Sequence, residues 1–252
     1  MYQHVEPINS ITHLTWGIKE MKAFSYAKEL IHAPITIAEF YEACKDYPIV
    51  FAKDSSEMWT ALALIGYQKK NLFIDEKGEW EKNRYIPAFI RRYPFIFIAQ
   101  PKSEELTLAF DVTCKEENVQ GEERAFFTKE GKATPFLENT MRFLTQFQND
   151  AKATAEFIKQ LSDWGLLEER MANIVTPSGE TFTLNGFYVI NEEKLRHLGK
   201  KKKEEINQKL CVLQKIQYKH PLISIYYFVP DKRKVGGSYT EMYGRLKNID
   251  LI

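Results

Sequence analysis

The 252-residue sequence is poor in cysteine, and the few cysteines it has are scattered. Cys44, Cys114 and Cys211 lie far apart and form no CxxC pair. An odd number without a regular framework argues against a disulfide-stapled secreted domain and suits free thiols in a reducing compartment. No cysteine and histidine spacing matches a zinc site. A chain of this length buries roughly 70–75% of its unfolded surface, so it needs neither kind of cross-link.

An excess of charge of one sign is also missing, because 35 basic residues against 34 acidic ones leave a formal net charge of +1. So weak a field would not draw the protein to nucleic acid or to an anionic membrane. No signal peptide is visible at the N-terminus, which lacks a basic segment followed by an apolar one. The longest apolar runs are strand-sized, far below the ~20 residues that span a bilayer: Pro48–Ala52, Ala61–Ile65, Phe95–Ala99 and Leu222–Val229. We therefore expect a soluble, cytoplasmic protein, which would reach a cell surface only through a dedicated secretion system.

Signatures of catalysis and of metal binding are missing as well. The five histidines show no metal-ligand spacing on a predicted helix, and neither HxD nor HExxH occurs. The sequence has no GxSxG elbow, no Walker A loop and no GxGxxG. We predict no metal, no cofactor and no catalytic residue. The prediction leans against an enzyme without excluding one, since a nucleophile and its base can be far apart in sequence.

The first half of the chain is rich in predicted strands. One helix precedes them: Thr36 and Glu39 fit a capping box, which predicts a helix running to about Asp46. Its predicted apolar face consists of Ile37, Phe40, Tyr41 and Cys44. Asp75–Gly78 is predicted to be a turn. Apolar runs between turn signals predict the strands Ile49–Ala52, Trp59–Tyr67, Leu72–Ile74, Phe95–Ala99 and Leu106–Phe110.

The second half is dominated by helical stripes. Pro135–Trp164 would be a helix ~45 Å long, ending before Gly165, although a break near residues 149 and 150 is equally open. Met171–Thr176 and Glu180–Leu184 are predicted to pair as a β-hairpin. The other predicted elements are a strand Phe187–Ile190, a short helix capped by Asn191, a helix carrying Ile206, Leu210, Leu213 and Ile216, and a strand Leu222–Val229.

This order of elements shows no regular βαβ alternation, which favours an α+β fold over a doubly wound sheet. We predict a strand-rich N-terminal half packed with a helix-rich C-terminal half that contains a β-hairpin. One domain over residues 1–252 is predicted, with a subdivision into 1–130 and 131–252 as the alternative.

The segment Tyr85–Phe95 holds the most unusual residues, two adjacent arginines flanked by tyrosines and prolines. If the segment is extended, Arg91 and Arg92 point to opposite faces, so that one of them at a time could hold a carboxylate or phosphate. The predicted ligand-binding residues are Arg91, Arg92, Tyr85, Tyr93, Asn71 and Trp80. The structural alternative is a buried arginine paired with Asp75 or Glu79, with the aromatic rings packed around it.

A set of short motifs extends over most of the chain: Tyr47–Phe51, Ala61-Leu62 with Gly66, Asn71–Phe73, Gly78–Trp80, Tyr85–Phe95, Gly121-Glu122, Phe127–Gly131 and Leu161–Leu167. These motifs, most specifically those between Asn71 and Phe95, are similar to the SapC family. The chain departs from the family pattern over Ile225–Val235, which is more aromatic and basic. SapC proteins are bacterial, of about this length, and named for a gene associated with surface-layer expression. The resemblance therefore implies a surface-layer association and carries over no catalytic residues.

Three functions are weighed on these grounds. The leading hypothesis is a non-catalytic binding or assembly protein associated with surface-layer function, acting on a protein partner or on further copies of itself. The alternative is an enzyme, or an accessory protein of one, that binds an anionic or peptide substrate through Arg91 or Arg92. A nucleic-acid binder using Lys200–Lys203 is the third, but Glu204 and Glu205 follow at once and halve the local field. Solvent-exposed lysines at the start of a helix explain that run better than a nucleic-acid site does, so nucleic acid is not an expected partner.

Overall fold

The computed structural model describes residues 1–21, 23–99, 106–119, 121, 124–175, 181–212 and 249–251. Its helices within these ranges are α1 (Phe40–Ala43), α2 (Ala88–Arg91), α3 (Pro135–Asp163), α4 (Glu192–Arg196) and α5 (Lys200–Val212). Its strands are β1 (Val5–Pro7), β2 (Trp16–Ile18), β3 (His32–Ile35), β4 (Ile49–Lys53), β5 (Trp59–Leu64), β6 (Gly66–Tyr67), β7 (Lys70–Asn71), β8 (Phe95–Ala99), β9 (Leu106–Asp111), β10 (Lys115–Glu117), β11 (Leu167–Val175), β12 (Thr181–Ile190) and β13 (Ile249–Leu251).

The chain divides into two compact units, each assembled from two separate stretches. Unit 1 comprises Met1–Ile31 and Gly66–Asn149, and unit 2 comprises His32–Ile65 and Asp150–Ile252. Helices and antiparallel sheets occur together, which confirms the α+β class. The arrangement by halves and the single domain over 1–252 stay predictions. No described helix is both long and apolar enough to cross a bilayer.

Unit 2 is built on a six-stranded antiparallel sheet with the order β13-β11-β12-β4-β5-β3. The predicted hairpin is confirmed as the pair β11 and β12, but the strands are longer than the sequence indicated. Phe187–Ile190 is the end of β12 and not a separate strand. Val50, Phe187 and Val189 form a buried cluster on this sheet, because alternate residues of neighbouring strands share a face.

The capping box in unit 2 is present, but the helix that follows it is short. The Glu39 carboxylate accepts hydrogen bonds from the Thr36 N–H at 2.9 Å and from the Thr36 hydroxyl at 3.0 Å. Residues 37–39 form a 3₁₀ turn before α1, and Ile37, Phe40 and Ala43 are buried at a spacing of three. The prediction that Tyr41 lies on this face is wrong. The 3₁₀ turn over residues 37–39 has three residues per turn, which shifts the phase of α1 so that Phe40 and Ala43 are buried and Tyr41 is exposed.

Unit 1 contains a three-stranded antiparallel sheet with the order β1-β9-β8, next to an aromatic core. Its buried cluster consists of Phe95, Leu108, Phe110, Phe126, Leu137 and Leu144. Phe110 is fully buried, and its ring lies 4.9 Å from the ring of Phe126 in an edge-to-face arrangement. The predicted strands at residues 95–99 and 106–110 are confirmed as the pair β8 and β9.

Helix α3 is continuous over 29 residues, so the alternative of a break near residues 149 and 150 is wrong. The predicted stop at Gly165 is confirmed. Gly165 has a φ of +69°, the Gly165 N–H donates to Ser162 O, and the Leu166 N–H donates to Leu161 O at 3.0 Å. These two bonds and the buried Leu161 and Leu166 side chains form a Schellman motif.

The last predicted elements are tested only in part. Asn191 caps α4 through its side chain, as predicted, by accepting the Lys194 N–H at 2.8 Å. The predicted helix around Ile206 is α5, while Leu213, Ile216 and the segment Leu222–Val229 lie outside the described residues.

Candidate recognition site

Asn71, a predicted site residue, holds a turn of unit 1. Its side chain is 2% exposed, donates to Ala27 O at 3.2 Å and accepts the Phe73 N–H at 2.9 Å. The strand predicted at Leu72–Ile74 is wrong, because this turn interrupts it and leaves only an isolated bridge between Ile74 and Trp80.

Trp80 fills the core beneath that turn. Its ring stacks on Phe73 at a centroid distance of 6.2 Å and meets Phe24 edge-on at 5.7 Å. The preceding turn is the predicted one: Asp75 Oδ1 accepts the Glu79 N–H at 2.8 Å, and Gly78 has a φ of +86°. Among the described residues, the buried indole N–H of Trp80 has no acceptor.

The two arginines lie on a helical turn, not on an extended segment. Residues Ala88–Arg91 form α2, and Arg92 continues it in the α region before a cis Tyr93–Pro94 peptide bond. The expectation that the side chains point to opposite faces is therefore wrong, since neighbours on a helix are about 100° apart. The prolines at 87 and 94 bracket the segment, and a helix of four residues is too short to show a periodic signal in sequence.

Arg91 is exposed, and its guanidinium group is held by polar atoms and rings of unit 1. Nε donates to Ile86 O at 2.9 Å, and Nη2 donates to the Tyr85 hydroxyl at 3.3 Å. The guanidinium carbon lies 5.8 Å from the Tyr85 ring centroid and 5.4 Å from that of Phe143. These contacts fix the direction of the side chain without neutralising its charge.

Arg92 is partly buried between two other rings. Its guanidinium carbon lies 4.4 Å from the ring centroid of Phe89 and 5.2 Å from that of Phe147. Burial lowers the pKa of Arg92, while the neighbouring Tyr2 hydroxyl partly offsets that effect. Within the described part of the chain, its buried Nε has no acceptor and neither arginine forms an ion pair. The alternative prediction of a buried arginine paired with Asp75 or Glu79 therefore finds no such ion pair among the described residues.

Phe143 and Phe147 complete this surface, and the sequence reasoning missed both. They stand four residues apart on α3, off the apolar stripe that predicted the helix. An aromatic i, i+4 pair outside the core stripe was the signal available. We define the aromatic–arginine surface by residues Tyr85, Phe89, Arg91, Arg92, Phe143 and Phe147, whose four rings are all partly buried.

Tyr93, another predicted site residue, belongs to a buried network beside α2. Its ring stacks on that of Tyr26 at 4.1 Å with an interplanar angle of 24°. Its hydroxyl donates to Asp111 Oδ2 at 3.3 Å and lies 3.2 Å from the Cys114 sulfur. Burial, followed by the Cys114 hydrogen bond, raises the pKa of Tyr93. Tyr93 is therefore a neutral phenol that positions its neighbours.

Asp111 is the centre of this network, and nothing in the sequence pointed to it. Its fully buried carboxylate accepts the Gln3 N–H at 2.6 Å, the His4 N–H at 3.3 Å and the Thr113 hydroxyl at 2.8 Å. Burial alone would raise the pKa of Asp111, but the hydrogen bonds from Gln3, Thr113 and His4 together lower it below its ordinary value. Asp111 thus fastens the N-terminus to β9.

Tyr2 links the network to Arg92. Its hydroxyl donates to Phe95 O at 2.8 Å, and its ring lies 5.3 Å from that of Tyr93. Burial raises the pKa of Tyr2 to about 12, against an opposing effect of the nearby Arg92 charge. The phenol oxygen therefore faces the guanidinium group as a neutral acceptor.

The described residues contain no group of three histidine, cysteine, aspartate or glutamate side chains that could hold a metal ion. Cys44 and Cys114 are not disulfide-bonded, and the side chain of Cys211 lies outside the described part.

A family model described as SapC matches residues 8–216. The chain belongs to the SapC family. Searches of curated proteins and of solved structures find no significant match. The aromatic–arginine surface of this SapC family member lies inside the matched region, whereas Ile225–Val235 lies beyond it and outside the described residues.

Proposed function

We propose that this SapC family member is a non-catalytic binding or assembly protein associated with surface-layer function. The aromatic–arginine surface is the place where it contacts a protein partner or a second copy of itself. The observation that carries the proposal is the exposed Arg91 guanidinium, oriented by Tyr85 and Ile86 and paired with no described carboxylate.

The chemistry of Arg91 suits a carboxylate of the partner. A guanidinium group presents five N–H donors, and the bonds to Ile86 and Tyr85 leave several of them for a bidentate contact. The rings of Tyr85 and Phe143 lie beside the charge and add apolar area to the same contact. Arginine and tyrosine are enriched among the residues that dominate binding energy at interfaces.

Arg92 stabilises the aromatic–arginine surface by packing between two of its rings. Its partly buried guanidinium lies between Phe89 and Phe147, the latter a residue of α3. Packing of this kind holds the rings in place and keeps the surface preformed, which lowers the entropic cost of association.

The experiment is recovery of partners by the tagged protein from lysate of its native host, with light scattering to detect self-association. Arg91→Ala is expected to lower recovery or self-association by about 30-fold, the loss that corresponds to an interface residue worth ~2 kcal/mol. Arg142→Ala, which removes an exposed arginine of α3, is the matched control and should bind like the wild type. Equal recovery by the two variants, or a wild-type protein that is monomeric and recovers nothing, contradicts the proposal.

An enzyme, or an accessory protein of one, that binds an anionic or peptide substrate through Arg91 or Arg92 is the second candidate. The observation in its favour is again the exposed Arg91 guanidinium, whose remaining N–H donors suit a small carboxylate as well as a protein partner. Thermal unfolding with small carboxylates and acidic peptides separates the two. Stabilisation that Arg91→Ala or Arg92→Ala abolishes in a folded protein favours the second candidate.

A further inference from the structure

Unit 2 contains a pocket of about 790 Å³ whose lining residues take no part in the proposed function. It is formed by the residues that follow α3, by the end of α4 and by the first turn of α5. Trp164, Leu166 and Leu198 are its apolar lining residues. Every charged side chain that lines it is basic: Lys194, Lys200, Lys201 and Lys202, with His197 beside them.

Contacts within unit 2 account for only part of this charge. The Lys194 ammonium group donates to Gly165 O at 3.1 Å, and that of Lys202 lies 5.1 Å from the centre of the Trp164 ring. Lys200 approaches Glu204 at 3.9 Å, but its side chain is 92% exposed, so the pair is weak. The pocket therefore keeps a surplus of positive charge.

That surplus costs stability. The first turn of α5 consists of four lysines and contains no acidic residue. Their ammonium groups repel one another and the positive end of the helix dipole, where negative charge is favoured. Glu204 and Glu205 in the next turn and the Lys202 contact with the Trp164 ring offset this repulsion only in part. Natural proteins break such local rules mainly at functional sites.

We infer that this pocket binds a nucleoside polyphosphate. The pocket is an open depression, and its lining combines an indole ring with four lysines. A chain of phosphates carries several negative charges and matches the lysines, while the base stacks on Trp164, as bases do on aromatic side chains in general. The overall charge of +1 gives no long-range field, which favours a small anion over a nucleic-acid strand.

Titration of the full chain with ATP, followed by tryptophan fluorescence, tests this. ATP is expected to quench the emission, and Trp164→Phe should remove that quenching although three other tryptophans remain. Stacking of the base should make ATP bind at least ~5-fold more tightly than inorganic triphosphate. Adenosine, which lacks the phosphates, should bind at least ~10-fold more weakly than ATP.

The decisive variant carries Lys200→Gln, Lys201→Gln and Lys202→Gln together. It should bind ATP at least ~10-fold more weakly, measured by calorimetry, and in the absence of ATP its Tm should rise by ~1–3 °C as the repulsion is relieved. The matched control neutralises three exposed lysines of unit 1, Lys69, Lys70 and Lys77, and should bind ATP like the wild type.

Unchanged ATP affinity in the decisive variant, or an equal loss in the control, overturns the inference. If inorganic triphosphate binds as tightly as ATP, the nucleoside contributes nothing to binding, which contradicts the inference of a nucleoside polyphosphate. Tighter binding of a single-stranded oligonucleotide than of ATP would assign the pocket to nucleic acid and likewise contradict it.

Discussion

Replacement of Asp111 by alanine is expected to lower the free energy of unfolding by about 3–5 kcal/mol, since it breaks a buried, charged hydrogen-bond network. The substitution leaves the N–H groups of Gln3 and His4 and the Thr113 hydroxyl without their buried acceptor. Urea unfolding at pH 7 measures the loss. Asp111→Asn keeps the shape and one acceptor oxygen, so it should cost less than alanine but more than 1 kcal/mol.

The pH dependence of the unfolding free energy tests whether the charged Asp111 carboxylate causes this stabilisation. The pKa of Asp111 in the folded protein lies below its ordinary value of 3.8, because the charged form accepts the hydrogen bonds. The stability that it contributes is therefore fully present above about pH 4 and is lost as the pH falls through the lower folded pKa. Wild type and Asp111→Asn should differ most at neutral pH and converge in acid. A difference that stays constant from pH 7 to pH 2 would show that the charge of Asp111 does not stabilise the fold.

Replacement of Phe110 by alanine should have an effect of similar size, about 3–5 kcal/mol, the usual cost of truncating a buried phenylalanine. Phe110 is fully buried, meets Phe126 edge-on at 4.9 Å and lies 6.0 Å from Trp16 and 6.3 Å from Phe95. The cavity left behind would cost all of these contacts. Urea unfolding checks the value, with Ile11→Ala as the control, because Ile11 is 92% exposed and its loss should change stability by less than ~0.5 kcal/mol. A loss below 1 kcal/mol for Phe110→Ala would mean that this aromatic core is not well packed.

Features with a local signal were predicted correctly from the sequence. The capping box at Thr36, the turn at Asp75–Gly78, the hairpin of β11 and β12 and the stop at Gly165 each depend on residues within a few positions of one another. Turn and cap geometry follow from such short patterns, because one side chain or one glycine decides them.

The candidate site was predictable only in part. The pair Arg91 and Arg92 stands out by composition, but a helix of four residues between prolines has no period to detect, so the sequence does not reveal α2. The acceptor role of Asp111 depends on partners 107 and 108 residues away along the chain. Contacts at such separations leave no trace in a single sequence, since they arise only when the fold brings the strands together.

Urea unfolding of Arg91→Ala beside Arg92→Ala tests the central claim most directly, namely that Arg91 serves recognition while Arg92 holds the surface in place. Arg91→Ala should lose no more than ~1 kcal/mol, because its hydrogen bonds and ring contacts are open to solvent. Arg92→Ala should lose about 1–3 kcal/mol, because its stem and guanidinium group pack between Phe89 and Phe147. A loss of 2 kcal/mol or more in Arg91→Ala would make that residue a part of the architecture and contradict its role in binding.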